Sequence, residues 1–294
     1  MFYVNLKYLK RKVFTVDKIS VIVPCFNEED VLPLFYQEVT KVLESIENTT
    51  YELLFINDGS SDHTEDLIKL MAHKNKQCFY YSFSRNFGKE AAMYAGLENA
   101  TGDYVVIMDA DLQHPPYLLK EMYHSLKEEN YDCCAGKRID RTGEGKLRNF
   151  LSHGFYKVIQ TLTKMDMDDG AGDFRMMTRQ MVDAILELKE YNRYMKGLFS
   201  FVGFNTKWLE FNNVERQGGK TKWSFKSLFS YAFKGIFSFS STPITIAGVI
   251  GGILIGISLI TSLYFLSYKS CFIFKWNSID LCFYLRTILF LMLF

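Results

Sequence analysis

The chain has 294 residues, 48% of them hydrophobic, with 34 basic against 33 acidic side chains and a net charge of +1. That length accommodates one sizeable α/β domain plus a lipid-facing segment, and the near-neutral balance argues against nucleic acid as a partner. Its six cysteines form no C-x-x-C pair and the adjacent Cys133 and Cys134 are poorly placed to chelate, so zinc and disulfide frameworks are disfavoured and the thiols read as reduced and mostly structural.

The first eighteen residues carry Lys7, Lys10, Arg11 and Lys12 but no continuous apolar core, so they read as an N-terminal extension rather than a signal peptide, which leaves the following domain in the cytoplasm. Ile19 to Asn27 reads as a strand broken by Pro24, and Glu28, Glu29 and Asp30 suit the first turn of a helix. A second apolar run, Tyr51 to Ile56, delivers Asn57-Asp-Gly-Ser-Ser-Asp62. Asp58 is expected at the carboxyl end of that strand, with Gly59 permitting a tight turn and Asp62 or Ser61 capping the next helix. Ser84 to Lys89 lies at another strand end, before a helical pattern from Glu90 to Asn99.

The next apolar run, Val105 to Met108, feeds into Asp109-Ala-Asp111 and Gln113. Hard oxygen ligands at a strand end suit Mg²⁺ or Mn²⁺, which take one or two carboxylates and fill their remaining positions with water and substrate phosphates. A nucleotide diphosphate is thus the first substrate class to consider, although the bare tripeptide is equally well a solvated turn. His114 has no His-x-x-x-His partner and is expected to be a loop residue at the site entrance. Acidic strand ends repeated along one chain point to a doubly wound, mostly parallel α/β sheet, which binds ligands at the carboxyl ends of its strands near the point where strand order reverses. No Gly-x-Gly-x-x-Gly follows the first strand, which disfavours a dinucleotide oxidoreductase.

Further along, Leu147 to Leu162 and Trp223 to Phe237 place apolar residues at helical spacing with basic residues interleaved, as helices lying in a headgroup layer do; a plain core helix shows the same aromatic stripe. No charged residue occurs between Lys234 and Lys269, and Ile244 to Leu266 is long and apolar enough to cross a bilayer core of about 30 Å. Gly248, Gly251, Gly252 and Gly256 give that span the small-residue spacing of helices packed in lipid. Cys271 to Phe294 contains Lys275, Asp280 and Arg286. Two readings stay open: a truncated second span, or an interfacial segment with Arg286 snorkelling.

Five motifs in order, Pro24-Cys-Phe-Asn-Glu28, Asn57 to Asp62, Asp109 to Gln113, Gly172-Asp-Phe-Arg175 and Arg216-Gln-Gly-Gly-Lys-Thr-Lys222, resemble the family 2 inverting glycosyltransferases. Within that family the likeness is to the polyprenyl-phosphate sugar transferases, the group of dolichol-phosphate mannose synthase and bactoprenol glucosyltransferase, and it covers roughly residues 19 to 267. The resemblance implies a GT-A-like nucleotide-sugar domain over 19–215, an acceptor motif and juxtamembrane amphipathic helix over 216–240, and a membrane region over 241–294 with one or two spans.

By the same resemblance Asp111 and Gln113 hold the metal, with Asp109 nearer the ion or the ribose. Asp58 faces the nucleobase, with Pro24, Phe26, Asn27 and Glu28 as the pocket wall, and Lys89 lies toward the diphosphate. Asp173 corresponds to the residue assigned as base, and Arg216 and Lys222 complete the catalytic set. A polyprenyl phosphate is already mostly dianionic at pH 7, so charge cancellation should matter more to it than proton removal, which gives Arg138, Arg148, Arg216 and Lys222 the task of holding the acceptor phosphate. Three residues keep plainer alternatives: Glu28 as a helix N-terminal charge, Gln113 as a turn amide capping the helix after Pro116, and Asp173 as a structural partner of Arg175.

The implied activity is metal-dependent, inverting transfer of a monosaccharide, from UDP-glucose or UDP-N-acetylglucosamine, to a polyprenyl phosphate such as undecaprenyl phosphate. It is expected at the cytoplasmic face of the cell's inner membrane, with a homo-oligomer and a separate flippase or downstream transferase as further partners in building the cell envelope. A non-catalytic membrane-anchored nucleotide-binding protein and an inactive truncated transferase are the alternatives. A processive polysaccharide synthase would need several spans and usually a Gln-x-x-Arg-Trp motif, and neither is present.

Overall fold

The computed structural model describes residues 16–138, 171–189, 193–212 and 242–271, together with 239 and 286. Two compact units divide between Ser238 and Phe239. In the first, β1 (Asp17–Cys25), α1 (Leu32–Glu44), β2 (Thr49–Asn57), α2 (Thr64–Lys74), β3 (Cys78–Ser82), α3 (Lys89–Asn99) and β4 (Tyr104–Ile107) alternate along the chain. After them come α4 (Leu118–Glu128), β5 (Cys133–Arg138), β6 (Ala171–Thr178), α5 (Arg179–Leu186), α6 (Met195–Phe201) and β7 (Thr206–Phe211).

The strands form one sheet in the order β3-β2-β1-β4-β6-β5-β7. The chain winds outward from β1 through β2 to β3, then returns to place β4 on the other side of β1, so the reversal lies between β1 and β4. Pairing is parallel except around β6, which runs antiparallel to both β4 and β5. An inserted antiparallel strand has a direct consequence: the start of β6, not its end, lies at the sheet edge where β1, β2 and β4 finish. Asp173 therefore arrives beside Asp109 although 64 residues separate them in sequence.

The near-continuous apolar runs of β1, β2 and β4 are buried on both faces, as parallel strands covered by helices should be. Val21, Val23, Leu53, Phe55 and Val106 join Phe35 and Val39 of α1 and Leu119 and Met122 of α4 in one core. On β1, Gly96 of α3 comes so close that a Cβ there would lie 2.2 Å from Ile22 Cγ2. Only a residue without a side chain allows that approach.

Several sequence expectations are corrected. The first strand begins at Asp17, not at Ile19, and Pro24 does not break it: Pro24 pairs with Ile56 inside β1. Met108 N donates to Ile22 O and Asp58 N to Cys25 O, so alternate residues of β1 face β4 and β2. By that alternation the N–H that Pro24 lacks would point past the end of β4, where no ladder bond is required. Glu28, Glu29 and Asp30 precede α1 instead of forming its first turn, which has no acidic residue and carries a proline. Glu29 serves the next helix instead, accepting the His63 N–H at 2.8 Å. Neither Asp62 nor Ser61 is the N-cap of α2, which is His63: Asp62 accepts the N–H of Thr64 at 3.0 Å from one residue earlier, and Ser61 donates to Asn27.

In the second unit, α7 (Thr242–Cys271) contains a 24-residue stretch, Ile244–Ser267, long and apolar enough to cross a membrane. The second-span and interfacial-tail readings, and the juxtamembrane helix before α7, lie outside the described residues, as does the Leu147 to Leu162 segment.

Candidate active site

At the strand-order reversal the carboxyl ends of β1, β2 and β4 lie side by side, and polar groups from four segments gather there. Asn27, in the β1–α1 loop, adopts φ 51°, and its Oδ1 accepts the Ser61 N–H at 2.8 Å while its own N–H donates to Ser60 Oγ at 3.0 Å. Glu28 N donates to Thr64 Oγ1 at 2.8 Å. Thus the backbone after Pro24 and Phe26 is tied to the loop after β2, and the two form one wall. Pro24, Phe26, Asn27 and Glu28 are all half-buried.

Asp58, 3% exposed, grips the loop between β3 and α3. Its Oδ1 accepts the Phe87 N–H at 2.7 Å and its Oδ2 the Gly88 N–H at 2.9 Å. Burial raises its pKa, and those two N–H groups oppose the rise. The adjoining turn is possible because Gly59 has φ +66°; a Cβ there would sit 2.4 Å from the carbonyl carbon of Arg85.

The clamped loop ends at Lys89, the first residue of α3. Its ammonium lies 2.7 Å from Asp109 Oδ1 and 2.7 Å from Asp173 Oδ2, joining the end of β4 to the start of β6. Burial alone would lower the lysine and raise both acids. The mutual attraction outweighs it: Lys89 is held far above the usual ammonium range, and Asp109 and Asp173 below the usual carboxylate range. Asp173 pairs with Lys89, not with Arg175, whose Nη2 donates to Gly172 O at 2.9 Å and whose guanidinium lies 3.8 Å from the Phe199 ring centre. Asp173 Oδ1 is buried without a hydrogen-bond partner.

Leu112 has φ 56°, an unfavourable backbone conformation for a leucine, worth roughly 1–2 kcal/mol. That turn folds Asp109, Asp111 and His114 together: one ligand atom from each lies within 4.8 Å of the others. His114 is thus not an entrance-loop residue. It is 2% exposed, stacked on Phe174 of β6 at 4.9 Å, with Nδ1 buried and unpartnered. Burial pushes its pKa down to about 4, so the imidazole is neutral and able to ligate. Two carboxylates and a neutral imidazole with an unused ring nitrogen fit a divalent cation. Gln113 does not cap α4; its Oε1 accepts from Arg138 Nη2 at 3.3 Å.

The structure therefore brings together Asp58, Lys89, Asp109, Asp111, Gln113, Arg138 and Asp173 from the expected set. Arg148, Arg216 and Lys222 lie outside the described residues. Sequence reasoning missed His114 as a member of the acidic cluster and Lys89 as a bridge. For Lys89 there was one available signal, a cation opening a helix at a strand end in a chain whose other strand ends are acidic.

The sequence profile of glycosyl transferase family 2 matches residues 20–186. A Bacillus subtilis (strain 168) protein carrying the name glycosyltransferase CsbB is 45% identical over 242 residues, 82% of this chain and 73% of that protein. The prophage bactoprenol glucosyl transferase homolog of Escherichia coli K12 is 38% identical over 83% of this chain and 79% of its own length, and the bactoprenol glucosyl transferase of Shigella phage SfX is 38% identical over 80% and 76%. Among solved structures, glucosyl-3-phosphoglycerate synthase from Mycobacterium tuberculosis, in complex with Mn²⁺, UDP-glucose and phosphoglyceric acid, superposes with a TM-score of 0.50 at 19% identity, covering 75% of this chain and 77% of that one. That likeness establishes a GT-A-like fold.

Proposed function

The chain belongs to glycosyl transferase family 2, and from that premise we propose that it transfers glucose from UDP-glucose to a polyprenyl phosphate, at the cytoplasmic face of the inner membrane and with inversion at the anomeric carbon. The observation that carries the reading is the convergence of Asp109, Asp111, His114, Lys89 and Asp173 at one sheet edge. Relatives named bactoprenol glucosyl transferase support the choice of sugar and acceptor. The apolar length of α7 supports a membrane location.

In this reading Asp109, Asp111 and His114, with Gln113 beside them, hold Mg²⁺ or Mn²⁺. Such an ion neutralises charge building on the leaving diphosphate. Asp58 offers its remaining acceptor lone pair to a pyrimidine ring N–H, against the wall made by Pro24, Phe26, Asn27 and Glu28. The acceptor needs alignment more than deprotonation, because a phosphate monoester with a pKa of about 6 is mostly dianionic at pH 7. Asp173, held in its ionised form, suits a positioning role toward the minor protonated acceptor. Arg138, together with Arg148, Arg216 and Lys222, balances the acceptor charge. One phosphate oxygen forms a bond to the anomeric carbon as the bond to the diphosphate breaks, and UDP departs with the bonding pair. An α-linked donor thus gives a β-linked lipid product, for a separate flippase or downstream transferase to use.

The test is formation of lipid-linked sugar by detergent-purified protein given undecaprenyl phosphate, Mg²⁺ or Mn²⁺ and a panel of UDP- and GDP-sugars. A metal-dependent glucolipid is expected, and Asp111→Asn should reduce turnover by at least a hundredfold, the order of loss seen when a group stabilising transition-state charge is removed. Product from UDP-N-acetylglucosamine alone would correct the sugar. Nucleotide binding without any product would favour a non-catalytic nucleotide-binding protein.

A further inference from the structure

Lys89 holds a position that a plain diphosphate-binding lysine would not need. Its ammonium makes close contacts with two carboxylates from different strands, and only one of these, Asp109, belongs to the cluster suited to a cation. An ammonium and a divalent ion compete for the same negative charge. Asp173 stands outside that cluster, so an ion arriving at Asp109 and Asp111 takes one arm of the bridge and leaves the other. Lys89 can respond because its root is fixed while its side chain is long: Asp58 pins the two N–H groups preceding it, and four methylenes carry the charge. An ammonium has three donors, so one released from Asp109 can turn toward a diphosphate oxygen while still holding Asp173.

We propose that Lys89 is an exchangeable counter-ion: it neutralises Asp109 until the donor arrives, yields Asp109 to the ion that accompanies the diphosphate, and stays on Asp173 to position it for the acceptor. The inference rests on the functional reading above and deepens it. It makes ion and nucleotide mutually dependent. An ion alone must displace the ammonium without offering it a new partner, whereas an ion with a diphosphate supplies one. Reciprocity then requires that nucleotide and ion raise each other's affinity by the same factor.

The experiment uses the full chain in detergent and titrates Mn²⁺, followed by the electron paramagnetic resonance of the free aquo ion, with and without UDP. In Lys89→Met, Mn²⁺ alone should bind about tenfold more tightly than in wild type, and the mutual enhancement between Mn²⁺ and UDP should shrink by a similar factor, within the usual span of coupling energies. Lys89→Arg should restore weak binding of the ion alone. A gain in ion affinity is not what a merely structural defect produces, which separates positioning from scaffolding. Thermal melts check folding, and Lys89→Gln carries the same test where Lys89→Met does not fold. If Mn²⁺ alone binds the lysine-free variant no more tightly, and only UDP binding weakens, Lys89 is an ordinary diphosphate ligand and the inference fails while the functional reading stands. Wild-type protein that binds neither Mn²⁺ nor UDP would overturn both.

Discussion

Two glycines with nearly the same backbone separate conformational strain from steric contact. Gly59 has φ +66° and Gly203 has φ +69°, but a Cβ at Gly59 meets the backbone of Arg85 and Asn86, while one at Gly203 meets nothing within 4 Å. Gly203→Ala should therefore cost about 1 kcal/mol, from its left-handed conformation alone. Gly59→Ala should cost about 2–4 kcal/mol, because an overpacking term of roughly 1–3 kcal/mol adds to the same strain. It should also lower UDP affinity, since the loop it displaces is the one Asp58 clamps and Lys89 ends. Thermal melts and UDP titrations on both variants check this; equal losses would mean that the 59–85 contact is not a constraint. At this scale Asp109, Asp111 and Asp58 were legible because an apolar run ending in a carboxylate marks a strand end. His114 was not, because its placement depends on a left-handed Leu112 and on stacking against Phe174, sixty residues away in sequence. The bridging role of Lys89 was hidden for a related reason: its second partner comes from a strand whose direction no local pattern gives.

At the scale of elements, the sheet carries the candidate site at one end and a buried hydrogen-bond network at the other. Opposite the site, Glu52 of β2 accepts Ser20 Oγ of β1 at 2.6 Å and the Thr101 N–H before β4 at 2.7 Å, and pairs with Lys18 at 2.5 Å. Ser20 Oγ in turn accepts the Gly102 N–H at 2.7 Å. Those bonds tie β1, β2 and the entry to β4 together at the end of the sheet opposite the site. Burial alone would raise the Glu52 pKa, but the bonds from Lys18, Ser20 and Thr101 win and hold it below its ordinary 4.5. A carboxylate with a depressed folded pKa adds stability that is fully present above the unfolded pKa and is lost as pH falls through the folded one. Glu52→Gln should thus destabilise the protein by about 2 kcal/mol at pH 7, and the gap from wild type should close as pH drops below 4.5. Melting curves from pH 7 to 3.5 decide it; a gap that does not change with pH would show that charge at Glu52 is irrelevant. The alternating β1-to-β4 half was legible from apolar runs and acidic strand ends. The antiparallel β6 was not, since a strand flanked on both sides reads the same in either direction, and the direction is set by which neighbours it finds.

At the scale of the whole molecule, near-zero net charge and high apolar content are reconciled by segregation. The residues around the site carry the charge, and α7 carries none from Thr242 through Tyr268. Its 30 residues span about 45 Å at 1.5 Å per residue, more than a hydrocarbon core of ~30 Å. Ile253, Leu254, Ile257 and Ile260 are all exposed. A helix with apolar side chains all round is one that protein or lipid must cover, and its length suits lipid. The apolar length of α7 was legible in the sequence because residue type and absence of charge can be read directly; the cations assigned to the acceptor, Arg148, Arg216 and Lys222, were read from motif and charge alone. If α7 crosses the bilayer, native membranes washed with alkaline carbonate and high salt should retain the full chain. Lysine at two central positions, Ile253→Lys with Ile257→Lys, should shift it to the supernatant, because each charge near the helix centre costs about 3 kcal/mol, together roughly 6 kcal/mol. A conservative pair, Ile253→Leu with Ile257→Leu, keeps the apolar length and should stay with the membrane. Retention of the double-lysine chain would mean that α7 is not what anchors the protein, and release of the wild type would mean that it is held at the surface by charge.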